Sequence, residues 1–360
     1  MNKKGTVFVG LSGGVDSSVS ALLLKKEGYE VVGVFIKTWH PDFLVCNEEE
    51  ERRDAMRVAS FLNIPFLTFD LEDVYKKEVA DYMIDEYKKG RTPNPDVMCN
   101  KEVKFGAFLK KSLAMGADFV ATGHYAVSQK NKDGTFSLLC GNDPSKDQTY
   151  FLWTLSQKEL EHIIFPVGHL NKKEVRRIAL KAKLPVAEKK DSQGICFLGA
   201  VDLKDFLKHY IKEKKGKVLN EDGEKIGYHN GAVFYTLGER RGFVIDAKIN
   251  NEKPYYVVAK DIKKNTLVVA HSSSPLLLEK NNLNQKSFII ENTNWINGAP
   301  KENFNYSAEI RYHGERYGCS ISLKKKNMAE VFFEKPVLMA KGQSLVIYDK
   351  KVCIGGGTLV

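Results

Sequence analysis

The feature that most constrains the fold is a glycine-rich segment between a strand-like apolar run at residues 6–11 and a helical pattern at residues 17–27. Its residues are Gly10, Leu11, Ser12, Gly13, Gly14, Val15, Asp16 and Ser17. Glycine permits a tight turn and lets backbone N–H groups approach an anion, and a helix N-terminus adds unpaired donors. The segment has neither the G-K-[ST] of a Walker A loop nor a G-x-G-x-x-G fingerprint. We predict a phosphate-binding loop without the usual lysine; the alternative is a glycine-rich turn before a capped helix.

The first half of the chain alternates between strand-like and helix-like patterns. Further strands are predicted at residues 31–36, 65–70 and 119–122, and a helix at residues 49–62, where apolar residues recur at helical spacing. Such alternation is typical of a parallel sheet that helices cover on both faces. We therefore predict an α/β domain in this half.

The pattern changes after about residue 207, where short strands and frequent turns begin. The clearest is a hairpin at residues 344–354. We predict a small central β-rich domain and a C-terminal β-barrel, with domain boundaries at 1–207, 208–276 and 277–360. A basic stretch at residues 212–217 is either a linker or a nucleic-acid contact.

Charge and cysteine content narrow the function. The formal net charge is +10, which favours a polyanionic partner, nucleic acid first, although a lysine-rich solubilising surface would give the same charge. The six cysteines are scattered without a C-x-x-C pair, which argues against a zinc ribbon or a disulfide scaffold. No apolar stretch is long enough to span a membrane, and no secretory signal is visible. We expect a cytoplasmic, monomeric protein.

Two cysteines stand in distinctive settings. Cys99 follows a proline-stiffened loop with Asp96 and has arginine and lysine neighbours, whereas Cys196 lies shortly after Gly194 and has two lysines nearby. Basic neighbours lower a thiol pKa, so both are candidate reactive thiols; the alternative is that both merely pack. Packing alone is what we expect of the others, which are Cys46, Cys140, Cys319 and Cys353.

The motifs carry a family resemblance. S-G-G-x-D-S resembles the loop of the PP-loop N-type ATP pyrophosphatases, which implies transfer of AMP to a substrate and release of pyrophosphate. Motifs from near residue 7 to near residue 358 are similar, in order, to the bacterial tRNA-specific 2-thiouridylases of the MnmA type. They are GLSGGVDSS, RTPNPDVMCNKEVKFG, ATGHYA, KDQTYFL, FPVGHL, KKDSQGICF and GQSLVIYDKKVCIGGG. The resemblance implies ATP-dependent 2-thiolation of the wobble uridine, with ATP and Mg²⁺ as cofactors and no protein-bound metal.

The resemblance also implies residue roles. Cys196 would carry a persulfide, Cys99 would be the partner thiol, and Asp96 would assist proton movement beside the target base. Ile36 and Gly123 would complete the ATP site formed by the glycine-rich loop. The target base and the tRNA would be contacted by Asn94, Pro95, Asp96, His124, Lys146, Asp147, Gln148, Arg311, Tyr312 and Gln343.

Partners follow from the same resemblance: tRNAs for lysine, glutamate and glutamine, and a persulfide donor, either a cysteine desulfurase or a relay protein. Three other functions stay open. They are another adenylating ligase, an iron–sulfur thiolase with Asp96 as third ligand, and a basic RNA-binding protein with a degenerate nucleotide site. Local alternatives also stand: His124 as a structural histidine, and residues 311–312 as part of an ordinary strand.

Overall fold

The computed structural model describes residues 4–44, 47–191, 202–246, 253–271, 286–325 and 327–360. The helices of these residues are α1 Val15–Lys26, α2 Glu48–Phe61, α3 Glu72–Tyr75, α4 Tyr82–Lys88, α5 Pro95–Met98, α6 Leu109–Ala114, α7 Gln157–Leu160, α8 Lys172–Lys181 and α9 Leu203–Lys208. Two π-helical segments, Lys76–Asp81 and Cys99–Phe108, join α3 to α4 and α5 to α6.

The strands of the described residues fall into three sheets. They are β1 Thr6–Gly10, β2 Glu30–Lys37, β3 Phe66–Asp70, β4 Phe119–Ala121, β5 Ala126–Lys130, β6 Phe136–Cys140, β7 Ile163–Ile164, β8 Gly216–Leu219, β9 Lys225–His229, β10 Val244–Ile245, β11 Tyr255–Asp261, β12 Thr266–His271, β13 Ser287–Trp295, β14 Tyr306–Glu309, β15 Arg316–Lys324, β16 Met328–Phe333, β17 Ser344–Asp349 and β18 Val352–Leu359. No helix among the described residues is long and apolar enough to cross a membrane.

The first sheet is parallel and has the strand order β3-β2-β1-β4-β7. Val7 and Val9 of β1 pack under α1, α2 and α8 on one face, and Phe8 packs against the α3–α6 region on the other. The predicted strands and the two predicted helices of this half are confirmed within about two residues. The strand order reverses at β1, and ligands of open α/β sheets bind at the carboxyl edge beside such a reversal.

The central sheet has the order β10-β9-β8-β12-β11, with β8 and β12 parallel and the other pairs antiparallel. Val218, Val257, Leu267 and Val269 are fully buried in it. The predicted small β-rich unit is therefore present.

The C-terminal strands form a closed antiparallel barrel in the order β13-β16-β15-β14-β17-β18, which β13 and β18 close. Alternate residues, such as Ile321, Val331 and Ile347, fill its interior. Strand β18 also pairs with β6, where Val352 lies opposite Leu139. The predicted fold class is confirmed, whereas the exact domain boundaries stay predictions.

Candidate nucleotide and target-base site

The glycine-rich loop turns tightly between β1 and α1. Gly13 has φ +71°, and a Cβ there would lie 2.5 Å from the backbone oxygen of Glu51, so only glycine fits. Gly14 precedes the first turn of α1, and the hydroxyl of Ser17 accepts a 3.3 Å hydrogen bond from the Ser12 N–H. The loop thus presents backbone donors and hydroxyl groups at the positive end of a helix.

The remaining predicted nucleotide residues lie at the same edge of the sheet. Gly123 lies two residues after the end of β4, and a Cβ on it would lie 2.7 Å from the Ser17 nitrogen. Ile36 is near the end of β2, the neighbour of β1. The structure therefore brings the predicted nucleotide residues to the carboxyl ends of three adjacent strands.

A lysine that sequence reasoning missed reaches this loop from α8. Lys172 Nζ lies 2.7 Å from both carboxylate oxygens of Asp16, and the Tyr125 hydroxyl donates to the same carboxylate over 2.8 Å. Burial, followed by the Asp16 charge, raises the pKa of Tyr125. Asn171 and Glu174 form a capping box that begins α8, so the N-K-K-E pattern was a local signal for a helix start here.

Lys172 also connects the loop to Asp191. Its Nζ lies 2.9 Å from Asp191, which Arg176 and Lys146 contact at 2.6 and 3.1 Å. Burial would raise the pKa of Asp191, but its hydrogen bonds to Lys172 and Lys146 and their charges lower it to about 2. Asp191 is therefore ionised at neutral pH, and Lys146, a predicted tRNA contact, lies in this ion-pair network.

The predicted target-base loop precedes a helix that leads back toward the nucleotide site. Asn94 Oδ1 accepts the Val97 N–H at 3.2 Å and so caps α5, which contains Pro95 and Asp96. Cys99 is buried, 3% exposed, at the start of the π-helical segment. Such segments recur at functional sites.

Two aromatic contacts connect that segment with its surroundings. Phe105, farther along the π-helical segment, packs against the His124 ring at a centroid distance of 5.7 Å, and His124 directly follows Gly123. At the other end, the Asn100 amide donates to the Phe151 carbonyl over 3.2 Å. The Cys99–Phe108 segment therefore links the nucleotide edge to the 94–96 loop.

The barrel contributes an aromatic side chain to the target-base loop. The Tyr312 ring lies 4.3 Å from that of Phe151 and 6.3 Å from that of Tyr150, measured between centroids. Burial and the charges of nearby carboxylates, Asp96 among them, raise the pKa of Tyr312 to about 12. Tyr312 is therefore a neutral phenol close to Asp96, which is the type of surface on which an unstacked base rests.

Comparison with known proteins gives the family. Three family models match: "tRNA methyl transferase HUP domain" over residues 5–200, "tRNA methyl transferase PRC-barrel domain" over 204–271 and "Aminomethyltransferase beta-barrel domain" over 285–359. The tRNA-specific 2-thiouridylase MnmA of Oceanobacillus iheyensis is 45% identical over 99% of this chain and 95% of its own. That of Nitrosomonas europaea is 44% identical over 99% of this chain and 98% of its own.

The chain belongs to the tRNA-specific 2-thiouridylase family. It is an enzyme, a tRNA sulfurtransferase, which sets aside the alternatives of an unrelated adenylating ligase and a non-enzymatic RNA-binding protein.

Solved structures with lower similarity also match part of the chain. The U34-tRNA thiolase NcsA of Methanococcus maripaludis is 16% identical, with a TM-score of 0.35 over 58% of this chain and 64% of its own. The NMN synthetase of Francisella tularensis is 17% identical, with a TM-score of 0.32 over 53% and 67%.

His124 of this 2-thiouridylase family member has the geometry of a structural histidine. Its Nδ1 lies 2.7 Å from the Thr122 hydroxyl, and its ring packs between Phe105 and Phe165. Burial, followed by the Lys104 charge, holds its pKa well below the usual range, so the ring is neutral. This geometry agrees with the alternative that His124 is a structural histidine. A contact between His124 and tRNA stays a prediction.

Four other predicted tRNA contacts make hydrogen bonds within the chain. Asp147 accepts the Gly141 N–H at 3.0 Å, and Gln148 accepts the Tyr125 N–H at 3.0 Å. Gln343 accepts the Ala340 N–H at 2.8 Å, and Arg311 donates to the Leu237 carbonyl over 2.7 Å. Each has a defined orientation, and its contact with tRNA stays a prediction.

The structure describes four of the six cysteines of this 2-thiouridylase family member, namely Cys99, Cys140, Cys319 and Cys353. Burial raises the pKa of Cys140, Cys319 (to about 12) and Cys353, which suits the predicted packing role. Cys46 and Cys196 lie outside the described residues, so the approach of Cys196 to Cys99 stays a prediction. Among the described residues, no group of three or more His, Cys, Asp or Glu side chains could hold a metal ion.

Proposed function

We propose that the enzyme uses ATP to replace the 2-oxygen of a tRNA wobble uridine with sulfur, through an adenylated uridine and a persulfide on Cys196. One observation carries this proposal: a continuous line of contacts runs across the site. It leads from the glycine-rich loop through residues 123–124 to the Cys99–Phe108 segment, and from that segment to the aromatic pair Phe151 and Tyr312. A nucleotide and a base bound at the two ends of this line would share one site.

Activation comes first, because a uracil oxygen is a poor leaving group. The 2-oxygen attacks the α-phosphorus of ATP, and pyrophosphate leaves. The backbone donors of residues 12–14 and the α1 N-terminus would bind the phosphates, and glycine at position 13 lets this loop turn closely against Glu51 of α2. Mg²⁺ bound with ATP would supply further charge neutralisation, and the Asp16 carboxylate, which Lys172 and Tyr125 contact, would orient Lys172 toward the phosphates.

Lys172 replaces the lysine that the loop itself lacks. Its side chain is only 13% exposed, and its ammonium group lies beside Asp16 at the edge where the phosphates would bind. A cation there would stabilise the negative charge that develops on the departing pyrophosphate. We therefore assign Lys172 to the phosphates and Asp191 to the positioning of Lys172.

Sulfur transfer follows. The terminal sulfur of the Cys196 persulfide attacks C2, and AMP leaves with the original oxygen. Cys99 then attacks the inner sulfur, which breaks the S–S bond, releases the 2-thiouridine and forms a Cys99–Cys196 disulfide. A cellular thiol reductant restores both thiols, and Asp96 assists proton transfer at the base.

The described residues that precede Cys196 support its access to this site. Asp191 shares Lys172 with Asp16 of the glycine-rich loop. Cys196 is five positions after Asp191, and five extended residues span at most about 18 Å. The thiol is therefore tethered within reach of the nucleotide edge.

The partners are proposed on the same basis. They are tRNAs for lysine, glutamate and glutamine and a persulfide donor, either a cysteine desulfurase or a relay protein. We propose a cytoplasmic monomer with no membrane contact. The wobble base would rest near Asn94, Pro95 and Asp96, with Tyr312 as a stacking surface.

Nucleoside analysis tests the function. The enzyme is incubated with ATP, transcribed tRNA and a persulfide source, and the digested nucleosides are separated by mass. We expect 2-thiouridine, AMP and pyrophosphate in equal amounts from the wild-type enzyme and no 2-thiouridine from Cys196→Ser. Formation of 2-thiouridine by Cys196→Ser at the wild-type rate, or without release of AMP and pyrophosphate, would overturn the proposal.

A further inference from the structure

The turn at residues 236–242 of the central domain lies where all three domains meet. The Thr236 hydroxyl lies 3.1 Å from that of Thr92, two residues before Asn94 in the target-base loop. Arg311 of the barrel donates to the Leu237 carbonyl over 2.7 Å. Thr92 lies two residues before Asn94, and Arg311 directly precedes Tyr312. Both residues that the turn contacts are therefore next to residues of the proposed base site.

The turn is held in one conformation. The Gly238 N–H donates to Val257 O over 2.7 Å, and the Val257 N–H donates to Glu239 O over 2.8 Å. Gly238 has φ +84°, and a Cβ on it would lie 3.1 Å from the Arg311 guanidinium. The side chains that follow Glu239 therefore project from a fixed backbone.

Arg240 and Arg241 project from this backbone without a carboxylate partner. Both are exposed, and neither forms an ion pair within the part of the chain that the structure describes. Glu239, the nearest acid in sequence, is paired with Lys204 and accepts the Thr236 N–H at 3.1 Å. The two guanidinium groups therefore keep their full charge toward solvent.

An open cavity of about 680 Å³ lies beside the pair. Two acids, Asp202 and Glu239, line it together with Lys204, Tyr256, Arg240 and Arg241. Glu239 neutralises Lys204, so the unpaired cations at this cavity are the two arginines. Two adjacent guanidinium groups at an open cavity suit a polyanionic chain, because guanidinium forks bind phosphate oxygens in pairs.

We infer that Arg240 and Arg241 bind the sugar–phosphate backbone of the tRNA beside its everted target nucleotide; this inference rests on the proposed function. A nucleotide whose base reaches Asp96 keeps its backbone outside the pocket, on the adjoining surface. The 236–242 turn forms that surface, and Arg240 lies two residues, at most about 7 Å of chain, from Gly238. Such contacts are independent of base sequence and set the position of the RNA.

Equilibrium binding of tRNA to the full chain, without ATP, tests the inference. The Arg240→Ala/Arg241→Ala variant is compared with the wild type over a range of salt concentrations. We expect about tenfold weaker binding and a slope of log affinity against log salt that is smaller by about 1.5 to 2. Arg240→Lys/Arg241→Lys keeps the charge and should recover most of the slope.

The matched control removes two exposed lysines elsewhere, Lys110→Ala and Lys132→Ala. Lys110 lies on the helix that leads into β4 from the opposite edge of the sheet, and Lys132 lies in the β5–β6 turn. The control should bind tRNA like the wild type. Circular dichroism and thermal unfolding check that all variants are folded.

The outcomes are distinct. A double-alanine variant with wild-type affinity and slope overturns this inference and leaves the proposed function intact. A variant that binds tRNA normally but accepts less sulfur from a donor protein also overturns it and assigns the pair to that protein. A wild-type chain that binds no tRNA overturns both proposals.

Discussion

Lys172 Nζ lies 2.7 Å from each carboxylate oxygen of Asp16, although the two residues are 156 positions apart in the chain. The contact joins the first turn of α8 to the first turn of α1. It places a half-buried cation at the phosphate loop and brings together two segments that are far apart in the sequence.

Lys172→Met should lower tRNA-dependent pyrophosphate release by about 100-fold or more, because a charge that stabilises the transition state is lost. Lys173→Met is the matched control, since Lys173 is exposed on the same helix. Pyrophosphate release is followed by a coupled assay under saturating tRNA. Equal rates for the two variants would contradict the role assigned to Lys172.

Asp191→Asn should lower the free energy of unfolding at neutral pH by about 1 kcal/mol, after allowance for solvent screening. The pKa of Asp191 is depressed to about 2 in the folded chain, below its ordinary value. Its stabilisation is therefore complete above about pH 5 and disappears as the pH falls toward about 2. Urea unfolding at several pH values measures the difference between variant and wild type.

Asp222→Asn serves as the control for that experiment, because Asp222 is exposed in a turn of the central domain. Its unfolding free energy should follow that of the wild type at every pH. If the Asp191→Asn difference stays constant down to acid pH, the ion-pair explanation of the lowered pKa is wrong.

Gly13→Ala should destabilise the protein more than Gly134→Ala and should abolish ATP binding. Both glycines have positive φ, +71° and +88°, so both substitutions cost about 1 kcal/mol of backbone strain. Only at Gly13 does the new Cβ meet backbone, 2.5 Å from Glu51 O, which adds about 1–3 kcal/mol. Chemical denaturation and nucleotide titration measure the two effects, and similar losses for both variants would refute the close approach.

Removal of Cys46, Cys140, Cys319 and Cys353 together should leave sulfur transfer intact. The last three are at least partly buried thiols with raised pKa values, so they stay protonated at neutral pH. Each replacement by alanine should lower the free energy of unfolding by about 1 kcal/mol. Adding Cys99→Ser or Cys196→Ser to this variant should eliminate 2-thiouridine in the nucleoside assay. Loss of activity in the four-cysteine variant at unchanged fold would show that another thiol takes part.

The parallel sheet and the nucleotide edge were predictable because their signals are local. The strand, the glycines and the helix start adjoin one another in residues 6–27, and the φ of Gly13 is a consequence of that local turn. Gly123 came from the family resemblance, and the structure adds the reason for it, its contact with the Ser17 nitrogen.

The missed features depend on contacts between distant parts of the chain. Lys172 occupies an ordinary amphipathic helix, and only the packing of α8 beside α1 gives its ammonium group a partner in Asp16. The π-helical segments were missed because their apolar spacing resembles that of an α-helix. Likewise, the orientation of Arg311 depends on Leu237, in another domain.

Strand β18 pairs with β17 and β13 inside the barrel, and its first two residues, Val352 and Cys353, pair with β6 of the first domain. Residues 352 and 353 therefore pair with a hairpin synthesised more than two hundred residues earlier. The ribosome must release residue 353 before that edge of β6 is covered, and a bare strand edge recruits other chains. A stop codon that removes β18 should thus produce insoluble protein rather than an active, shortened enzyme.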